Sequence, residues 1–391
     1  MKERRDLYLI AISMLFWGLG EGLFFIFQPL YMQELGASSI MIGTILGINS
    51  VGMGFMQIPM GYISDRYGRR MMLWMSWILG VLSTIVMAFA NNLTIFVVGY
   101  LLYGLTAAVI APMNSYAAAA RGNWSVGKAV SFISAAYNVG ALVGPLVGGA
   151  LAERFGLSVL YKIAAGIFII SSIIVLFIRK QPVEKRDELA TDKGLHRNPR
   201  FVLALVIILV VMFALYLPYP LTSNFLQNER DLSLSNIGIL GSAVSVASVL
   251  LILVLGHLHP LKAFVIGQVA MISFCLLIWK GTSLPWYIVA YFLVGGFRLS
   301  QSLKSALVRP FVGNHEVGLA FGITEAIGHV AFIIAPILAG FLYDRNPESV
   351  YMVGLIVLGV SLAFTLLAMR FKGAFKKRYL EQPPAGNIGN L

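Results

Sequence analysis

Residues 144–154 read GPLVGGALAER, and residues 335–345, at an offset of 191, read APILAGFLYDR. Pro145 falls on Pro336, Gly149 on Gly340 and Arg154 on Arg345. Working outward at the same offset, Val98, Tyr100 and Gly104 fall on Val289, Tyr291 and Gly295, and Pro29 falls on Pro220. Gly43 meets Gly238 and Gly61 meets Gly256 at 195, a slip of four in the first outer loop. Single matches between short apolar helices mean little. Four aligned regions at a near-constant offset say that one unit occurs twice.

The composition says what kind of unit it is. Hydrophobic residues make up 58% of the 391 and charged residues 12%, about half the ~25% charged share of an ordinary globular chain. Mean hydropathy is +0.82, and the apolar residues fall in runs long enough to cross the hydrocarbon of a bilayer. Twelve segments qualify, at about 7–32, 39–60, 71–90, 93–119, 128–151, 158–178, 201–222, 233–256, 262–279, 284–306, 316–341 and 349–370. Open strands cannot satisfy their backbone in lipid, so each is read as a helix. The predicted fold is therefore an all-α membrane protein of twelve spans in two pseudo-symmetric six-helix halves. Its divisions are 1–178, a linker at 179–200, a second half at 201–372 and a tail at 373–391.

The net charge of +12 has a topological explanation. With the N-terminus inside, the inner segments hold 23 of the 29 Lys and Arg and the outer loops 5. The positive-inside rule then places both termini in the cytoplasm, in a plasma or inner membrane. Nucleic acid is not needed as a partner. The one cysteine, Cys275, lies in an apolar run and makes no intramolecular disulfide. His257 and His259 lack companions for a metal site, and no Gly-rich turn with Lys-Ser/Thr suggests ATP. No enzyme chemistry, cofactor or metal is expected, and nothing demands more than a monomer.

Between spans 2 and 3 the chain reads GYISDRYGRRMML from Gly61. The loop resembles the cytoplasmic signature of the major facilitator superfamily. Gly61 and Gly68 permit a tight turn, Asp65 can meet an Arg or a helix N-terminus, and Arg66, Arg69 and Arg70 hold the loop inside. In span 5, Gly140, Gly144, Pro145, Gly148 and Gly149 resemble the motif of the superfamily's drug:proton antiporters. Glycines four apart also make a groove for close helix packing. There are two departures. Tyr100 stands where the family often has an Arg, and Pro260 stands opposite Asp65 in the second half. The resemblance implies a midplane cavity bounded by spans 1, 4, 7 and 10, and rocking of the halves around it.

A charge near the bilayer centre costs at least ~2.5–3.5 kcal/mol, so each one needs a partner or a wet cavity. Glu21 in span 1, Arg298 in span 10, and Glu325 and His329 in span 11 lie that deep. Glu21 reads either as a proton carrier or as a fixed partner of Arg298, with Trp17 and Gln28 on its face. Glu325 and His329, one turn apart, can share a proton or form an interhelical hydrogen-bonded pair. Arg298 either neutralises a glutamate or binds an anionic substrate. Lys304 and Arg309 read as snorkelling anchors. Asn49, Asn114, Asn138 and Gln301 are polar candidates for the cavity wall. The Phe, Tyr and Met residues are expected to face lipid or neighbouring helices rather than form an aromatic pocket. The expected function is proton-coupled export of a small amphipathic or cationic compound. The alternative is a proton symporter for a polar or anionic metabolite such as a sugar or organic acid.

Overall fold

The computed structural model describes residues 4–56, 68–180, 195–313 and 316–370. The first half comprises α1 (Arg5–Glu34), α2 (Ser39–Phe55), α3 (Arg69–Ala88), α4 (Leu93–Ala119), α5 (Val126–Phe155) and α6 (Ser158–Leu176). The second comprises α7 (Pro199–Tyr216, continued by Thr222–Arg230), α8 (Leu234–Leu255), α9 (Pro260–Lys280), α10 (Leu284–Leu293 with Gly295–Val308), α11 (Val317–Arg345) and α12 (Ser349–Arg370). Ten of these are long and apolar enough to span a membrane. The other two are α2, which runs to the edge of a described stretch, and α10, which is broken. The twelve predicted spans are thus present. The 179–200 linker is described at its two ends, where residues 195–197 form a single 3-10 turn.

The repeat is visible in the local chemistry. Ser38 caps α2 by accepting from the Met41 amide, and Ser233 caps α8 by accepting from that of Asn236. Those two serines are 195 apart, the offset already read for this region. The regular helix is interrupted in α1, α4, α7 and α10, at Phe25–Phe27, Leu105–Val109, 217–221 and Val294. Pro29 and Pro112 have no N–H for the carbonyl four residues back. Pro218 and Pro220 do the same in α7, while Gly295 and Gly296 follow the break in α10. These four interrupted helices are the ones expected to bound the cavity.

The halves meet along two seams that copy one another. In α2, Gly43 lies against the carbonyl oxygen of Pro336 in α11, and in α8, Gly238 lies against that of Pro145 in α5. Gly340 faces the carbonyl of Ser39, and Gly149 faces that of Leu234. Each position has its partner at 191 or 195, so a pseudo-twofold axis relates the contacts and not merely the sequences. Hydrogen bonds cross the halves in the same region, away from the chain ends. Ser242 and Ser245 donate to the carbonyls of Leu142 (2.7 Å) and Ala141 (3.0 Å), and Asn228 donates to Gln33 (3.1 Å). The molecule is closed on the side opposite its termini.

Within the first half, Gly140, Gly144 and Gly148 of α5 approach the backbone of α1 at Leu15, Gly22 and Leu23. Five of the span 5 motif residues therefore serve two interfaces. Three glycines join α5 to its own half, while Pro145 and Gly149 meet the other half.

Candidate functional site

A cavity of about 400 Å³ lies in the first half, between α1, α2, α3, α4 and α5. Gln28 and Tyr100 stand at its closed end, and Asn114 and Ser134 at the end toward the chain termini, where Ser134 is exposed. Glu21 is its carboxylate. Tyr137 donates a hydrogen bond to Glu21 Oε2 at 3.0 Å. Tyr137 is three residues before Gly140, so it lies on the α5 face that the glycines turn toward α1.

The wall around Glu21 is aromatic. Trp17 stacks on Phe168 at 4.4 Å and on Tyr103 at 6.2 Å, with Trp77 at 5.2 Å. Trp17, Trp77, Tyr100, Tyr103 and Tyr137 all line the cavity. The expectation that the aromatics face lipid or neighbours fails here. Apolar helices carry no periodic signal to separate a lipid-facing ring from a cavity-facing one. The wall is held from behind, where Trp77 Nε1 donates to Ser13 Oγ (2.7 Å) and Ser171 Oγ (3.0 Å). This network joins α1, α3 and α6.

Of the polar residues expected at the wall, Trp17, Gln28, Asn49, Asn114 and Asn138 line this cavity. Asn138 donates to the Ser134 carbonyl at 2.7 Å. Gln28 is 2% exposed, and its Nε2 has no hydrogen-bond partner. Asn49 Oδ1 is likewise buried without one. A buried polar atom left unpaired costs about 1–3 kcal/mol, and Gln28 and Asn49 each carry one in a side chain that lines the cavity. Gln301 is on α10, where its Oε1 lies 3.5 Å from Arg298.

Three expected pairings are not formed. Among the described residues Arg298 has no carboxylate within 4.0 Å, and neither Glu21 nor Glu325 is its ion-pair partner. Glu325 does not bond His329. It instead takes Lys304 Nζ at 2.8 Å and a hydrogen bond from Ser305 Oγ at 3.3 Å. Residues four apart share a helix face, but the carboxylate reaches across to α10 rather than along α11. Lys304 is no snorkelling anchor, since its side chain is 3% exposed and packs beside Gly328. His329 Nδ1 is buried and unpartnered, and its ring lies edge-on to Phe332.

Lys304 depends on Glu325 for compensation of its buried charge. Breaking a buried pair from one side costs roughly 3–5 kcal/mol, less here because Glu325 is 38% exposed. Glu325→Gln is expected to lose about 1–3 kcal/mol and lower the thermal midpoint in detergent by a few degrees. Adding Lys304→Met should restore most of it. A double variant no more stable than Glu325→Gln would mean that Lys304 finds its compensation elsewhere.

Gly61, Asp65 and Arg66 of the expected gating loop lie outside the described residues. Gly68 adopts φ 90°, a conformation open to glycine, and leads into α3. There Arg69 begins the helix and Arg70 covers the Trp74 ring at 4.2 Å. Among the described residues no cluster of three His, Cys, Asp or Glu groups could hold a metal ion.

The family model described as Major Facilitator Superfamily matches residues 10–258 and 204–387. Multidrug resistance protein 2 of Bacillus subtilis (strain 168) is 25% identical over 389 residues, covering 94% of this chain and 96% of its own. Multidrug resistance protein MdtG of Enterobacter lignolyticus (strain SCF1) is 28% identical over 397 residues, covering 95% and 94%. Among solved structures, the nucleoside transporter NupG superposes with a TM-score of 0.75 at 16% identity, covering 95% of this chain and 99% of its own. At that identity the superposition speaks for the fold alone.

Proposed function

The chain belongs to the Major Facilitator Superfamily, a family of transporters, and from that premise we propose that it exports amphipathic cations in exchange for protons. The observation that carries the reading is Glu21, a carboxylate at membrane depth whose hydrogen-bond partner is the neutral Tyr137. A bare carboxylate there is costly. A proton or a substrate cation can each compensate it, and both cannot do so at once. The aromatic rings beside it suit a cation, which gains about 0.5–2 kcal/mol over such a face. The multidrug names of the relatives agree with export of this class.

In this scheme the cavity takes the cation from the cytoplasm, where both termini lie. The cation displaces the proton from Glu21, the halves rock, and a proton from the far side releases the cation there. One proton moves per monovalent cation, so the exchange is electroneutral and needs no ATP. The Gly61–Arg70 loop latches the cytoplasmic side while the cavity faces outward. A monomer in the cell membrane suffices.

The unpaired guanidinium of Arg298 favours a second reading, symport of an anionic metabolite. Proteoliposomes holding a pH-sensitive dye inside an acidic lumen separate the two. Adding a lipophilic cation outside is expected to draw protons out of the lumen. Organic acids or sugars that carry protons with them would replace antiport with symport.

A further inference from the structure

The transport cycle above uses Glu21 and leaves Arg298 unexplained. Arg298 is half-buried in α10 at membrane depth and stays charged at any relevant pH. Its polar contact is Gln301 Oε1 at 3.5 Å, and its nearest ring is Phe297 at 5.7 Å. Phe297 stacks on Tyr216 at 5.8 Å. Tyr216 and Tyr219 share a small cavity of about 70 Å³ with Gln28 and Tyr100 of the other half. Through Phe297 and Tyr216, Arg298 thus stands beside the space where the two halves face each other. Among the described residues it forms no ion pair.

Lys304, six residues along the same helix, has taken the carboxylate of Glu325. Glu21 in the cavity of the first half thus has a neutral hydroxyl for its hydrogen-bond partner, and Arg298 in the facing half has a neutral amide. Gln28 supplies a further donor with no acceptor, and it lines both cavities.

We propose that Arg298 is the second pole of the substrate site, binding a carboxylate or phosphate oxygen of the same molecule whose cationic end rests at Glu21. The preferred substrate is then a zwitterionic amphipath. This rests on the reading of Glu21 as the cation site. A simple cation leaves Arg298 uncompensated and feels its repulsion. A simple anion is repelled by Glu21. A molecule with both charges satisfies both walls at once, and the wrong charge pattern is selected against as well as the right one selected for. The planar guanidinium suits a carboxylate, which it can hold through two parallel hydrogen bonds.

A matched pair of dyes tests this. Rhodamine B carries a xanthylium cation and a carboxylate, whereas its ethyl ester carries the cation alone. Binding to the full-length protein in detergent is read by fluorescence anisotropy at neutral pH. The wild type is expected to bind rhodamine B about tenfold more tightly than the ester. Arg298→Gln should abolish that ratio by weakening rhodamine B and, with the repulsion removed, tightening the ester, and Arg298→Lys should restore part of it, keeping the charge without the fork. Glu21→Gln should weaken both dyes and leave the ratio standing. An equal affinity of the wild type for the two dyes, or a ratio unmoved by Arg298→Gln, overturns the second pole while the cation site stands. If Glu21→Gln weakens neither dye, the cation site itself is lost and the proposal falls with it. Because the ratio is internal to each variant, partial loss of folded protein does not imitate either result.

Discussion

Glu21→Gln is expected to abolish uphill transport of a lipophilic cation while leaving downhill movement measurable. The substitution keeps the shape of the side chain, and the amide oxygen can still accept from Tyr137, now at 3.0 Å from Glu21. It removes the one property the scheme requires, a site that binds either a proton or a cation. Without a displaced proton the two gradients are uncoupled, and the cation can run only down its own. Binding should weaken as well. Charged hydrogen bonds and ion pairs of this kind contribute about 1.5–3 kcal/mol, which corresponds to a loss of roughly 10–150-fold in affinity. Transport should also cease to respond to an imposed pH difference, where the wild type responds steeply. Tyr137→Phe provides the contrast, because it removes a hydrogen bond to the carboxylate and leaves the charge. That variant should retain coupling with altered affinity. Continued accumulation against a gradient by Glu21→Gln, with unchanged dependence on the proton gradient, would remove Glu21 from the mechanism.

The particular residues show why some of this was legible in the sequence and some was not. The duplicated Gly and Pro positions carried the fold, because membrane helices that approach closely need small residues at fixed places. The structure then pairs those same positions across the halves, as with Gly43 on Pro336 and Gly238 on Pro145. Glu21 is legible from its depth in span 1, and Trp17 and Gln28 from helical spacing, which states a shared face correctly whatever that face meets. Spacing failed for Glu325 and His329, because a shared face is not a contact. Depth alone failed for Lys304, whose surroundings are set by the packing of α10 on α11 and by the space beside Gly328. Charge balance suggested that Arg298 pairs with a glutamate. Each glutamate proves to be occupied otherwise, one by Tyr137 and one by Lys304. Tyr137 could have been found by continuing the Gly140, Gly144, Gly148 register back by one turn, toward the helix those glycines touch.

The seams between the halves predict a conformational effect that the two copies should share. A Cβ at Gly149 would lie 2.7 Å from the Leu234 carbonyl oxygen and 3.0 Å from Ser235 Cα, and one at Gly340 would meet the Ser39 carbonyl and Ile40 Cα. These obstacles are backbone atoms of the opposite half, so no side-chain rotation relieves them. The added bulk of Gly149→Val or Gly340→Val must part the seam. Overpacking costs about 1–3 kcal/mol, and because the strain exists only when this side is closed, it moves the equilibrium roughly 5–150-fold toward the state open on that side. Gly144→Val should behave differently. Its Cβ would meet Gly22 Cα at 2.6 Å, within the same half, so it should reduce folded protein instead of shifting the conformation. A cysteine at Ser242, now 5% exposed and bonded across the seam to Leu142, reports the opening. The background is favourable because Cys275 is fully buried. A membrane-impermeant maleimide added on that side should label Ser242→Cys at least about tenfold faster in either valine variant. Unchanged labelling in both would mean that the glycines serve packing alone. Acceleration in one and not the other would mean that the halves, though built alike, do not open as equals.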